Sequence, residues 1–162
     1  MEKKPADLAI WKKSVAIQFT LKAGEAVEIR GRNDKKYLGT SKGCVFVAIA
    51  AAISEGDKKY DWDHKMTIAL SEHEVAQFIL GMQGNEVNFV HDPNMGSQDK
   101  GQTIKSIKIS KAPDKDFIYV NAQEKTKGEE SPRKYPGVAL TPAETLEIRL
   151  LLGAALPKIL GW

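Results

Sequence analysis

The segments IALSEHEVAQFIL (Ile68 to Leu80) and VALTPAETLEIRL (Val138 to Leu150) write the same junction twice. Each runs from a β-branched residue through Ala-Leu to a hydroxyl residue, with glutamate three positions on. Ser71 with Glu74, and Thr141 with Glu144, have the spacing of a capping box, in which hydroxyl and carboxylate satisfy each other's backbone amides. Pro142 falls at N1, where its missing N–H costs nothing. Each junction therefore predicts a strand that ends abruptly in a helix. The first helix spans Glu72 to about Met82, with Val75, Phe78, Ile79 and Met82 at helical spacing, and Gly81 and Gly84 stop it. The second runs from Pro142 toward Pro157. Its apolar residues, including Leu146, Ile148, Leu150, Leu151, Leu152, Ala154, Ala155 and Leu156, nearly encircle it, so one sheet cannot bury them all. Burial against copies of the same chain is the simplest solution, which predicts an oligomer.

The segments before each helix are β-like. Val15, Ile17, Phe19 and Leu21 alternate with Ser14, Ala16, Gln18 and Thr20, as a half-buried strand does. AVEIRGR, GCVFVAIAAAI and YDWDHKMTIAL follow. The second half continues with NEVNFVH, TIKSIKIS, DFIYVNAQ and PGVAL, separated by turns at Pro93-Asn94, Ala112-Pro113-Asp114 and Lys127-Gly128. Each half thus reads as four strands and a helix. The expectation is one domain over residues 1–162, made of two pseudo-repeats at about 8–83 and 84–162.

A chain of 162 residues suffices for one core. No run approaches the roughly 18 apolar residues of a membrane span, so no membrane partner is expected. MEKKPADLAIWKK lacks the apolar region of a signal peptide. The single cysteine, Cys44, excludes an internal disulfide and fits a reducing, intracellular setting. The net charge of +3 permits a nucleic-acid partner without requiring one.

Catalytic signals are weak. His64, His73 and His91 have no metal-ligand spacing, and no Walker loop, G-x-S-x-G or G-x-G-x-x-G is present. His73 is expected exposed in the first helical turn, and His64 packed or at the surface of a strand. His91-Asp92-Pro93 reads as a turn initiator. Asp61 and Asp63, on a strand, and Glu129 and Glu130, in a polar loop, read as solvated or structural carboxylates. An enzyme would need His91 and a carboxylate converging in a pocket, and they are expected apart. No enzyme activity, metal, cofactor or small-molecule substrate is expected. The basic residues are better organised. Lys12 and Lys13 follow Trp11, Lys35 and Lys36 precede Tyr37, and Lys58 and Lys59 precede Tyr60 and Trp62. Rings interleaved with lysines suit single-stranded nucleic acid, where bases stack and phosphates pair. Lysines at strand ends also protect sheet edges, so a plain interaction module stays open beside it.

KKYDWDHKMTIALSEHEVAQFI, NFVHDPNMGSQDKGQTIKSIKI and the ending ALPKILGW resemble the Whirly single-stranded DNA-binding proteins, in order and spacing, from about Leu8 to Trp162. The resemblance implies an α+β fold, a tandem ββββα repeat with two antiparallel four-stranded sheets and helices at the hub of a homo-tetramer. That fold is shared more distantly with the positive-cofactor-four coactivators. It also implies a non-enzymatic, largely sequence-independent partner of single-stranded DNA in replication, recombination, repair or transcription regulation. RNA remains open as the ligand. The family strand motif KGKAAL matches KKSVAI, Lys12 to Ile17, where Ser14 replaces the lysine tied to assembly beyond the tetramer. Expected DNA contacts are Trp11, Lys12, Lys13 and Ser14 on this strand, with Lys42, Phe46, Tyr60, Phe89 and Lys105 elsewhere. Trp62 is expected to pack under the sheet. Leu146, Leu150, Ala154, Leu156, Leu160 and Trp162 are the expected oligomer contacts.

Overall fold

The computed structural model describes residues 7–31, 35–54, 59–92 and 103–161. Along the chain lie β1 (Asp7–Trp11), β2 (Val15–Lys22), β3 (Glu25–Arg30), β4 (Lys36–Ser41), β5 (Cys44–Ala51), β6 (Met66–Leu70) and α1 (Glu72–Gly81). The second half carries β7 (Val87–His91), β8 (Thr103–Lys111), β9 (Ile118–Thr126), β10 (Arg133–Lys134), β11 (Val138–Leu140) and α2 (Pro142–Ile159). The first sheet has the order β1-β2-β5-β6, all antiparallel. In the second, β7, β8 and β9 pair in turn, and β10 and β11 share the far edge of β9. Arg133 and Lys134 sit opposite Glu124 and Gln123, while Val138 to Leu140 sit opposite Val120 to Ile118. The sheet therefore has five strands but is four rows wide.

Several strand expectations change. AVEIR does not join the first sheet; as β3 it pairs with β4 in a separate two-stranded ribbon whose residues are almost all exposed. Its place in the sheet is taken by β1, which carries Leu8 and Ile10 toward the core in a segment with too few residues to show a clear alternation. Within YDWDHKMTIAL only Met66 onward is strand, because Asp61 to His64 form a turn in which Asp61 Oδ1 accepts from the His64 amide at 3.2 Å. Asp61, Asp63 and His64 thus lie in a turn and not on a strand. The Pro93-Asn94 turn falls outside the described residues.

Both capping boxes form. Ser71 Oγ accepts from the Glu74 amide and Thr141 Oγ1 from the Glu144 amide, while each carboxylate accepts from its N-cap amide at 2.9 and 2.8 Å. Gly84 stops the first helix with φ at 98°, a left-handed conformation that costs glycine little. Gly81 does not stop it. It is the last helical residue and lies so close to Ile109 that an added Cβ would stand 2.9 Å from that side chain. The second helix passes Pro157, whose missing amide removes one helical bond, and ends two residues later at Ile159.

Alternate residues of the first sheet, among them Val15, Ile17, Phe19, Val47 and Ile49, face a single core that also receives Ile107, Ile109 and Val120 from the second sheet. A file of rings bridges the layers: Phe19 meets Phe78 edge-on at 5.6 Å, and Phe78 stacks on Phe89 at 5.9 Å. From α2, Thr145, Ile148, Leu152, Ala155 and Ile159 enter the core at alternating three- and four-residue steps. Phe78→Ala would leave a cavity between two rings, and a loss of about 3–5 kcal/mol is expected, read as a lower urea midpoint at unchanged slope.

Candidate nucleic-acid interface

Trp11, the last residue of β1, is exposed, 52% accessible, at the edge of an aromatic cluster. Its ring lies 5.1 Å from Tyr60 and 5.8 Å from Trp62, edge-on to the latter. Ala16 and Ala50, opposite each other on the outer face of the first sheet, form the floor on which Tyr60 packs. The small side chains leave room for the ring. Tyr60 itself is buried, and its hydroxyl donates to the Lys12 carbonyl at 2.6 Å, so it supports Trp11 and offers no free face. Trp62 is half-buried in this outer cluster and not beneath the sheet, with Lys65 Nζ 5.9 Å from its ring centre.

The other expected DNA contacts divide sharply. Lys13 and Ser14 are exposed in the turn, and Phe46 is half-buried on the outer face. Phe89 lies in the core against Phe78 and presents nothing for a base to stack on. Lys12 turns inward, its ammonium 2.6 Å from both carboxylate oxygens of Glu144. Lys42 pairs with Glu72, and Lys105 donates to the Thr67 carbonyl at 2.9 Å, tying β8 to β6. Each of the three has a partner within the fold, Lys12 and Lys105 in part-buried contacts and Lys42 at the surface.

Histidine and carboxylate also meet, contrary to expectation. His91 Nε2 is 2.5 Å from Glu74 Oε1, because β7 returns beside the N-terminus of α1. The pair belongs to the helix cap, since the other oxygen of Glu74 accepts from the Ser71 amide and hydroxyl at 2.9 Å. Burial opposes ionisation of Glu74, yet the Ser71 amide, His91 and the Ser71 hydroxyl together hold its carboxyl below the usual range. Glu144 follows the same pattern: burial raises it, and Lys12 with the Thr141 amide and hydroxyl brings it below the usual range. His64 Nδ1 lies 2.9 Å from Asp61 Oδ1 in its exposed turn, and His73 is exposed as expected. Among the described residues no group of histidine, cysteine and carboxylate side chains could hold a metal, and no helix is long and apolar enough to cross a membrane.

A further basic surface lies outside the residues expected from the sequence. On the outer face of the second sheet, β7, β8, β9 and β10 line a concavity of about 680 Å³. Lys108, Lys125 and Lys134 are exposed there, over a floor that includes Val90 and Ile104. Lys108 pairs with Glu86 at 2.9 Å at the exposed rim; among the described residues Lys125 and Lys134 have no ion pair. Tyr135 closes one end, its hydroxyl shared between Glu124 Oε1 at 2.8 Å and the His64 carbonyl at 3.0 Å. Burial and the Glu124 bond push its phenol far above the ordinary range, so it stays a donor. The concavity thereby adjoins the turn that carries Trp62. The signal was present: Ile104, Ser106 and Lys108 share one pleat face, and Lys105 the other. What the pattern lacked was which face looks outward.

Two sheets, each followed by a capped helix, define a tandem ββββα protein of the α+β class. A family profile described as Whirly transcription factor matches residues 10–151. The chain belongs to the Whirly family. The mitochondrial single-stranded DNA-binding protein WHY2 of Arabidopsis thaliana is 31% identical over 121 residues, 75% of this chain and 50% of that one. The chloroplastic single-stranded DNA-binding protein WHY1 of Solanum tuberosum is 29% identical over 118 residues, 72% of this chain and 42% of that one. The chain thus spans half or less of these curated relatives' length. The solved structure of the plant transcriptional regulator PBF-2 matches with a TM-score of 0.82 at 26% identity, covering 100% of this chain and 86% of that one. The crystal structure of WHY3 from Arabidopsis thaliana gives 0.82 at 23%, covering 100% and 92%, a likeness of fold.

The depressed Glu144 and Glu74 carboxyls carry a pH consequence. A carboxyl held below its unfolded value stabilises the fold above that value and loses its contribution as pH falls through the folded one. Wild-type stability should therefore drop below about pH 4, and Glu144→Gln should start less stable at neutral pH and lose less on acidification. Urea unfolding across pH 2–7 reads both, and parallel curves for the two proteins would refute the role given to Glu144.

Proposed function

We propose that this chain is a non-enzymatic single-stranded DNA-binding protein. The strand runs across the concave outer face of the second sheet and reaches Trp11 at the end of the first. The carrying observation is that concavity, where Lys125 and Lys134 stand free of ion pairs among the described residues. The relatives named as single-stranded DNA-binding proteins supply the ligand. Lysines neutralise phosphates whatever the sequence, and an exposed indole adds stacking of roughly 1–3 kcal/mol per base. Holding melted DNA in replication, recombination or repair follows, with transcription regulation as a second role. Anisotropy titration of labelled oligonucleotides of ~30 nucleotides, as single-stranded DNA, duplex and RNA over a salt series, tests the reading. Single-stranded DNA should bind most tightly and weaken with salt. Lys125→Ala/Lys134→Ala should lower the steepness of the log–log salt plot by about 1.4, about 0.7 per lost phosphate contact. Equal binding to duplex would overturn the proposal, and tighter RNA binding would move it to RNA.

The working form is a homo-tetramer joined through α2, and both ββββα halves act as one domain. Supporting this, the face of α2 opposite the core leaves Leu146 51% and Leu150 66% exposed, with Ala154 beside them. Leu156 and Leu160 are half-buried, Leu156 against the core, and Trp162 lies outside the described residues. Light scattering should give a tetramer mass for wild type and a smaller species for Leu146→Glu/Leu150→Glu. A monomeric wild type would overturn the assembly.

A further inference from the structure

Three side-chain amides stand on the outer face of the second sheet. Asn88 on β7 and Asn121 on β9 flank Lys108 in one cross-strand row. In the next row Val90, Ser106, Gln123 and Lys134 lie side by side. Asn88, Asn121 and Gln123 are exposed in the same concavity, and among the described residues their amides have no hydrogen-bond partner. Gly137 adjoins Asn121, where an added Cβ would stand 2.8 Å from Oδ1. Glycine there leaves that amide its space.

A carboxamide presents an acceptor and donors side by side, and turning it over exchanges them. The pairing edge of every base also places a donor beside an acceptor: N6–H and N1 in adenine, N4–H and N3 in cytosine, N3–H and O4 in thymine, N1–H and O6 in guanine. A reversible amide can therefore make a two-bond contact with any base whose pairing edge is free. In a duplex those edges are spent on the other strand. Lysines make no such distinction, because both forms offer phosphates.

We infer that Asn88, Asn121 and Gln123 are the residues by which the protein selects single strands over duplex, accepting unpaired base edges without ranking the bases. The inference rests on the single-stranded DNA reading above. It separates two tasks within one surface: lysines supply salt-dependent attraction, and amides test whether bases are unpaired.

The test compares wild type with Asn88→Leu/Asn121→Leu/Gln123→Met, which keeps volume and charge, and with the triple alanine variant as a check against surface association. Circular dichroism and thermal melting verify the fold of each. Anisotropy is read on oligo-dT, oligo-dC, an abasic strand of the same length, and duplex. Wild type should bind oligo-dT and oligo-dC alike and the abasic strand at least about tenfold more weakly. Both variants should lose about tenfold or more on base-bearing strands while keeping wild-type affinity for duplex and abasic strand and the wild-type salt slope. Variants that retain the full single-strand preference, or that weaken on every ligand equally, would overturn the inference and leave the DNA reading standing. A wild type without single-strand preference would remove both.

Discussion

Each helix begins at a carboxylate that serves two halves of the molecule at once. Glu74 caps α1 in the first half and meets His91 from the second; Glu144 caps α2 in the second half and takes Lys12 from the first. The crossing is reciprocal. Each N3 glutamate satisfies orphan amides at a helix start and anchors a nitrogen donor from the opposite half. These contacts, with the file of Phe19, Phe78 and Phe89 between the layers, fix how the two sheets sit against their helices. What each sheet shows to solvent follows from that arrangement.

The arrangement also decides which basic residues remain available. Lys12, Lys42 and Lys105 lie near the joints between elements, and each is engaged by a glutamate or a strand carbonyl. Among the described residues no helix covers the outer face of the second sheet, and Lys125 and Lys134 are exposed there. Chemistry that the first strand motif seemed to promise is thereby divided. Trp11 and Lys13 stay at the surface by the β1–β2 turn, and the cations proposed to meet phosphates belong to the second sheet.

Local signals in the chain were legible. The hydroxyl-to-glutamate spacing located both helix starts to the residue, because a capping box closes within four positions. The all-round apolar character of the second helix indicated that its residues cannot all face one sheet, and Ile148 and Leu152 indeed turn to the core while Leu146 and Leu150 turn away. Long-range choices were not legible. Lys12 and Glu144 are 132 positions apart, and nothing near Lys12 indicates where its ammonium goes. Val87, Phe89 and His91 alternate with Asn88 and Val90, but alternation names two faces without saying which is wet, so a core ring at Phe89 passed for a stacking ring. AVEIR has strand chemistry, yet sheet membership depends on how the chain leaves β2 at Ala23-Gly24, where the Gly24 amide donates to the Lys158 carbonyl at 2.8 Å. That contact stands where β3 parts from the sheet, and its partner is a helix at the other end of the chain.

The central claim is that a single strand lies along the outer face of the second sheet. Photocrosslinking with oligonucleotides carrying 5-iodouracil, followed by peptide mapping, tests it most directly. The account predicts crosslinks within Val87–His91, Thr103–Lys111 and Ile118–Thr126, and at Trp11. Crosslinks confined to the β3–β4 ribbon or to α2, with none on those strands, would contradict it.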